Sequence, residues 1–114
     1  MNCSLTRRER IRRRPEFKKV QQAGVRTRGR YVTIFSLNNG LDVARLGIIA
    51  TRRLGGAVRR NRAKRCVREM FRHHKGRPGI DFVALLHPGA SDVSFDAFEA
   101  DFLHVLTRNA KTHL

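Results

Sequence analysis

The chain has 114 residues, enough for one domain whose core covers roughly 60 to 70% of the unfolded surface, so no second domain is needed. Its 25 Lys and Arg, mostly Arg, outweigh nine Asp and Glu, a net charge of +16 that favours a polyanionic partner. No apolar run approaches the roughly 18 residues of a membrane span, no secretory signal core opens the chain, and two cysteines make no disulfide framework; the expectation is a cytoplasmic protein.

The charge is unevenly placed. Residues 1–77 carry 23 basic and 4 acidic side chains, and residues 78–114 carry 2 and 5. Binding is therefore expected in the first two thirds.

Residues 1–14 contain six arginines and read as a mobile basic arm. Pro15 suits a first helical position, Phe17 and Val20 are three apart, and Gly24 can end a helix of about eight residues. A weak strand is expected over Val25 to Arg28. RYVTIFSL, Arg30 to Leu37, alternates as a strand, with Tyr31, Thr33 and Phe35 on one face and Val32 and Ile34 on the other. Asn38-Asn39-Gly40 then supplies a turn, and Val43 to Thr51 is expected to return antiparallel to that strand.

Gly55-Gly56 breaks the chain before about 17 residues free of Pro and Gly, which predicts one helix. Ala63, Cys66, Val67, Met70 and His74 fall on one side of it, and Arg60, Lys64, Arg68 and Arg72 form an i, i+4 stripe flanked by Asn61 and Arg65. Like charges at that spacing repel by a few tenths of a kcal/mol per pair, and Glu69 is the only internal partner; the stripe calls for a polyanion.

Ile80 to His87 is almost continuously apolar, as a central strand would be. Ser94 can cap a last helix whose Phe95, Phe98, Phe102 and Val105 face the core, leaving Asp96, Glu99 and Asp101 outward. The fold class is α+β, one sheet with helices packed on it, in a single domain spanning 1–114.

The run A-V-R-R-N-R-A-K-R-C-V-R-E, with the short helix EFKKVQQAG and the Arg30 to Leu37 strand, closely resembles the protein subunit of bacterial ribonuclease P over about residues 5 to 107. The resemblance implies a small two-layer α/β sandwich of the ribosomal protein S5 domain 2-like type, mainly antiparallel, with a left-handed βαβ crossover. It implies a ribonucleoprotein endonuclease, a hydrolase of tRNA processing, in which this chain binds the catalytic RNA and the 5′ leader of precursor tRNA and is not catalytic alone. Mg²⁺ would be held mainly by the RNA, with no cofactor on this chain and neither DNA nor membrane as partner. The RNA-binding helix maps to Arg60, Asn61, Arg62, Lys64, Arg65 and Arg68, and Arg72 continues the stripe. The leader cleft maps to Phe17, Val20, Gln21 and Phe35, with Tyr31 and Thr33 on the same strand face. Gln21 departs from the aromatic residue many relatives carry, which thins the stacking platform.

Three rival readings remain at this point. A non-enzymatic RNA-binding protein of the ribosome would share charge and fold type. A protein-only nuclease would draw on His73, His74, His87 and His104, but no His or carboxylate pair is spaced for a metal. A membrane-surface helix would need more Trp, Leu and Phe on its apolar side.

Overall fold

The structure, a computed structural model, describes residues 5–74 and 76–112. Three helices, α1 (Arg14–Ala23), α2 (Ala57–His73) and α3 (Phe95–Thr112), accompany four strands, β1 (Val25–Arg28), β2 (Val32–Asn38), β3 (Arg45–Ile49) and β4 (Ile80–Leu86). Short 3-10 turns lie at Arg7–Glu9, Arg52–Leu54 and Pro88–Asp92.

The strands form one mixed sheet in the order β1-β2-β4-β3. β2 runs antiparallel to both β1 and β4, whereas β3 is parallel to β4. The expected hairpin between β2 and β3 is therefore corrected: the strand after the Asn-Asn-Gly turn does not pair with the strand before it. β4, with Val83 and Ala84 fully buried, is the most apolar strand and takes the place between them. The Asn39 amide donates to the Gly79 carbonyl at 2.8 Å, so the chain turns across the start of β4 before β3 begins. Helix α2 makes the crossover that a parallel pair requires.

Residues of opposite parity along β2 feed two cores. On one face Val32 and Ile34 meet Phe82 and Ala84 of β4, Ala63, Val67, Met70 and Phe71 of α2, and Phe98, Phe102 and Val105 of α3. This sheet-and-helix pair is the two-layer body of the α+β fold. On the opposite face lies a smaller cluster in which Val20 and Phe17 of α1 and Phe35 of β2 pack with Ile11 and Val83. Two polar networks link the helices to the sheet. Asn109 of α3 accepts from the Ser36 hydroxyl and donates to Thr27 Oγ1 at 3.1 Å, tying α3 to β2 and β1. Arg45 forks onto Asp81 at 2.7 and 2.6 Å and reaches Glu16 of α1 at 3.0 Å, fixing that helix over the sheet.

The basic arm differs from expectation. Its first four residues lie outside the described ones, but Leu5 and Ile11 are each 5% exposed and sit in the larger and smaller core respectively. The Ile11 amide donates to the Leu46 carbonyl at 3.0 Å, and Arg10 forms a parallel bridge with Leu46. Two apolar side chains among the arginines supply the burial that the charge count hides. Asp101 likewise is not merely solvated: it accepts from the Arg30 and Tyr31 amides at 2.9 and 2.8 Å, holding the β1–β2 connection against α3.

Candidate RNA interface

Gly55 adopts φ 127°, a conformation that favours glycine, and lets the chain enter α2 after the Arg52–Leu54 turn. Helix α2 then buries Ala63, Val67, Met70 and Phe71; Phe71 is an anchor that the apolar series from the sequence omits. Asn61, Arg62 and Arg65 are exposed, whereas Arg60, Lys64, Arg68 and Arg72 are half-buried. All four stripe residues therefore lie along the flank of the core instead of standing fully in solvent. At the N-terminal end of the stripe the Arg60 Nε is buried without a hydrogen-bond partner.

The stripe's middle faces the N-terminal segment. Lys64 and Arg68 line a cavity of about 220 Å³ with Arg10 and Arg12, beside Phe17 and Gly47. Burial, then the neighbouring charges of Arg10 and Arg65, push the Arg68 guanidinium down from its ordinary value. Four cations thus converge where the arm, α1 and α2 meet.

Lys64 also borders a second, wider groove of about 520 Å³, where Arg12, Arg14 and Lys18 surround Phe17, Gln21 and the end of β3. Its wall is aromatic and aliphatic and its rim is cationic. The two surfaces that the sequence presents separately, a basic helix and an aromatic cleft, are one continuous surface joined at Lys64 and Phe17.

Within the cleft group the structure distinguishes roles. Phe17, Gln21 and Phe35 are half-buried and keep surface for a ligand. Val20, 1% exposed, lies in the core beneath them. Thr33 is also buried, and its hydroxyl lies 2.8 Å from His87 Nε2. His87 Nδ1 lies 3.0 Å from the Arg30 carbonyl, which can only accept, so in the neutral ring Nδ1 carries the proton and Nε2 accepts from Thr33. That histidine is part of the framework. Tyr31 lies outside β2, packs against the larger core and has the Arg30 guanidinium 5.6 Å from its ring centroid, so it does not join Phe17 and Phe35. Arg12, and Arg14 at the start of α1, line the wider groove and Arg10 the smaller cavity, places the sequence did not reveal; the apolar Ile11 beside them was the available signal.

Among the described residues no three His, Cys, Asp or Glu gather as a metal site would require. His74 contacts Glu99 at 3.3 Å and is spoken for in the α2–α3 seam. Among the described residues no helix is long and apolar enough to cross a membrane.

A small α/β domain whose cationic helix opens into a positively rimmed aromatic groove defines an RNA-binding protein. The ribonuclease P family model matches residues 5–110. The ribonuclease P protein component of Thermotoga petrophila is 40% identical, over 95% of this chain and 97% of that protein. That of Syntrophomonas wolfei is 33% identical over 91% and 89%. The solved RNase P protein of Staphylococcus aureus superposes with a TM-score of 0.82 at 29% identity, covering 88% of this chain and 94% of that one. The RNase P protein of Thermotoga maritima gives 0.80 at 35%, covering 88% and 96%.

The chain belongs to the ribonuclease P protein family. As such it is a subunit of the ribonuclease P holoenzyme, a ribonucleoprotein endonuclease of tRNA processing, and works with that enzyme's RNA subunit. This favours the ribonuclease P reading over a ribosomal one.

Proposed function

We propose that α2 docks on the RNA subunit through Arg60, Asn61, Arg62, Lys64, Arg65, Arg68 and Arg72, while the groove between α1 and the sheet holds the single-stranded 5′ leader of precursor tRNA. The observation that carries this reading is the meeting of the two surfaces at Lys64 and Phe17. A leader lying along Phe17, Gln21 and Phe35 would place its backbone among Arg12, Arg14 and Lys18, with bases on an aromatic wall that stacks them without reading sequence. Single-strand binding proteins combine those two elements in the same way.

The protein then acts by orienting substrate on the RNA and by screening phosphate repulsion where Mg²⁺ gathers on the RNA subunit. It contributes no acid, base or metal ligand to the cleavage. The holoenzyme works in the cytoplasm.

Reconstitution with a bacterial ribonuclease P RNA tests this. At low Mg²⁺ the chain should restore cleavage of precursor tRNA that the RNA alone performs poorly, and should bind precursor more tightly than mature tRNA. Equal affinity for the two tRNAs would remove the leader groove from the account. Cleavage by the protein without RNA would overturn the division of labour.

A further inference from the structure

Helix α2 has another side. Where it faces the Pro88–Asp92 turn and the start of α3 lies a cavity of about 300 Å³, walled by Ala63, Cys66, Phe95 and Phe98 and rimmed by Arg59 and Arg62. The volume is at the lower end of those that hold small organic ligands. It exists because α2 presents small side chains, Ala63 and Cys66, toward the two phenylalanines at a level where larger ones would close the gap. Arg59 is paired with Asp92 at 2.6 Å across the rim, in an exposed contact that can open at little cost. Arg62, exposed on the same rim, has no acidic partner among the described residues.

We propose that this cavity takes one unpaired nucleobase of the RNA subunit, whose own phosphate rests on Arg62. The proposal builds on the docking of α2 described above. A slot with two phenylalanines on its wall and Ser91 and two arginines around it suits a flat heterocycle with polar edges, and the unpaired cation at its mouth suits the attached phosphate. Arg62 and Cys66 are four residues apart, about 6 Å along the helix, which is comparable with the reach from a base to its phosphate. A charged-surface contact alone would let α2 slide along an RNA groove. An inserted base would fix its register.

Cys66 makes the cavity testable, because with Cys3→Ser it is the single thiol of the chain. N-ethylmaleimide should alkylate Cys66 in the free protein and do so at least tenfold more slowly in the assembled complex with the RNA subunit. Filling the slot with Cys66→Met should weaken RNA-subunit binding about tenfold, the loss expected for one stacked base, while Cys66→Ala stays within twofold. The same filling can be made on the folded protein with methyl methanethiosulfonate, and dithiothreitol should then restore binding; this arm decides if the Met variant fails to fold. An unchanged alkylation rate in a complex shown to have formed overturns the proposal. So does protection accompanied by undiminished binding of the filled forms, which would mean that RNA covers the mouth without entering. Failure of the unmodified chain to bind the RNA subunit would instead remove the docking reading, and the pocket with it.

Discussion

Gly47 and Phe17 occupy one site: a β-carbon on Gly47 would stand 2.5 Å from Cε1 and 2.7 Å from Cζ of the Phe17 ring. The aromatic wall of the groove thus lies directly on bare backbone of β3. Gly47→Ala should displace the ring outward at a cost of about 1 to 3 kcal/mol, since Phe17 is half-buried and can swing while Ile11, 3.2 Å away, cannot. Urea unfolding measures that cost. Discrimination between precursor and mature tRNA should fall by more than the stability loss explains.

The fork of Arg45 onto Asp81 is the main electrostatic commitment of the fold. Its side chains are 18% and 8% exposed, and the carboxylates of Asp81 and Glu16 push the Arg45 guanidinium up, so it stays charged at every working pH. Arg45→Met leaves the Asp81 charge buried beside Asn39 and should cost about 3 kcal/mol. Adding Asp81→Leu should recover much of it. A double-mutant cycle in which the two losses simply add would show that the pair acts independently.

Ile11 gives the arm its anchor. Ile11→Ala should destabilise the fold by about 2 to 4 kcal/mol, and the Ile11 amide, bonded to Leu46, should exchange hydrogen slowly in the RNA-free protein. Rapid exchange there would return the arm to a loose tail.

Binding to the RNA subunit should fall on the order of a thousandfold between 50 and 200 mM salt if about six phosphates are neutralised. Lys64→Ala, at the junction, should weaken both RNA-subunit assembly and leader discrimination. Arg62→Ala, on the far side of α2, should weaken assembly alone. Each should reduce the slope of log affinity against log salt by about one.

Burial, then the Glu69 charge, pushes the Cys66 thiol up, so at a given pH less of it is thiolate than in a free cysteine. Its alkylation should be slower than that of a small-molecule thiol near pH 8. The rate should still be rising at pH values where the free thiol has levelled off. A matching pH profile would mean the side chain is more open to water than its place in the cavity implies.

Helices α2 and α3 and strand β4 were legible in the sequence because each carries its own periodicity and its own stops, such as Gly55 before α2 and Ser94 before α3. The partner of β3 was not. Pairing depends on which strand the core draws to the centre, and β4 arrives only after α2. Leu5 and Ile11 were hidden by the arginines around them, although burial depends on the apolar side chain and not on its neighbours' charge. Of the site, the composition of both surfaces was readable, and so was the relationship to ribonuclease P. Their junction at Lys64 was not, since it requires the smaller core to seat the arm and α1 and the larger core to seat α2 beside them. Tyr31 was misplaced because alternation was carried back ahead of the start of β2 at Val32.

The bridge of Arg10 to Leu46 has a consequence for how the protein behaves before it meets RNA. An open sheet has two free edges at which another chain can add a strand. Here the β3 margin is partly occupied by the protein's own arm, and the β1 margin is four residues long with Arg26 and Arg28 exposed. A self-repelling protein awaiting a polyanion is thereby also guarded against fibrous self-assembly.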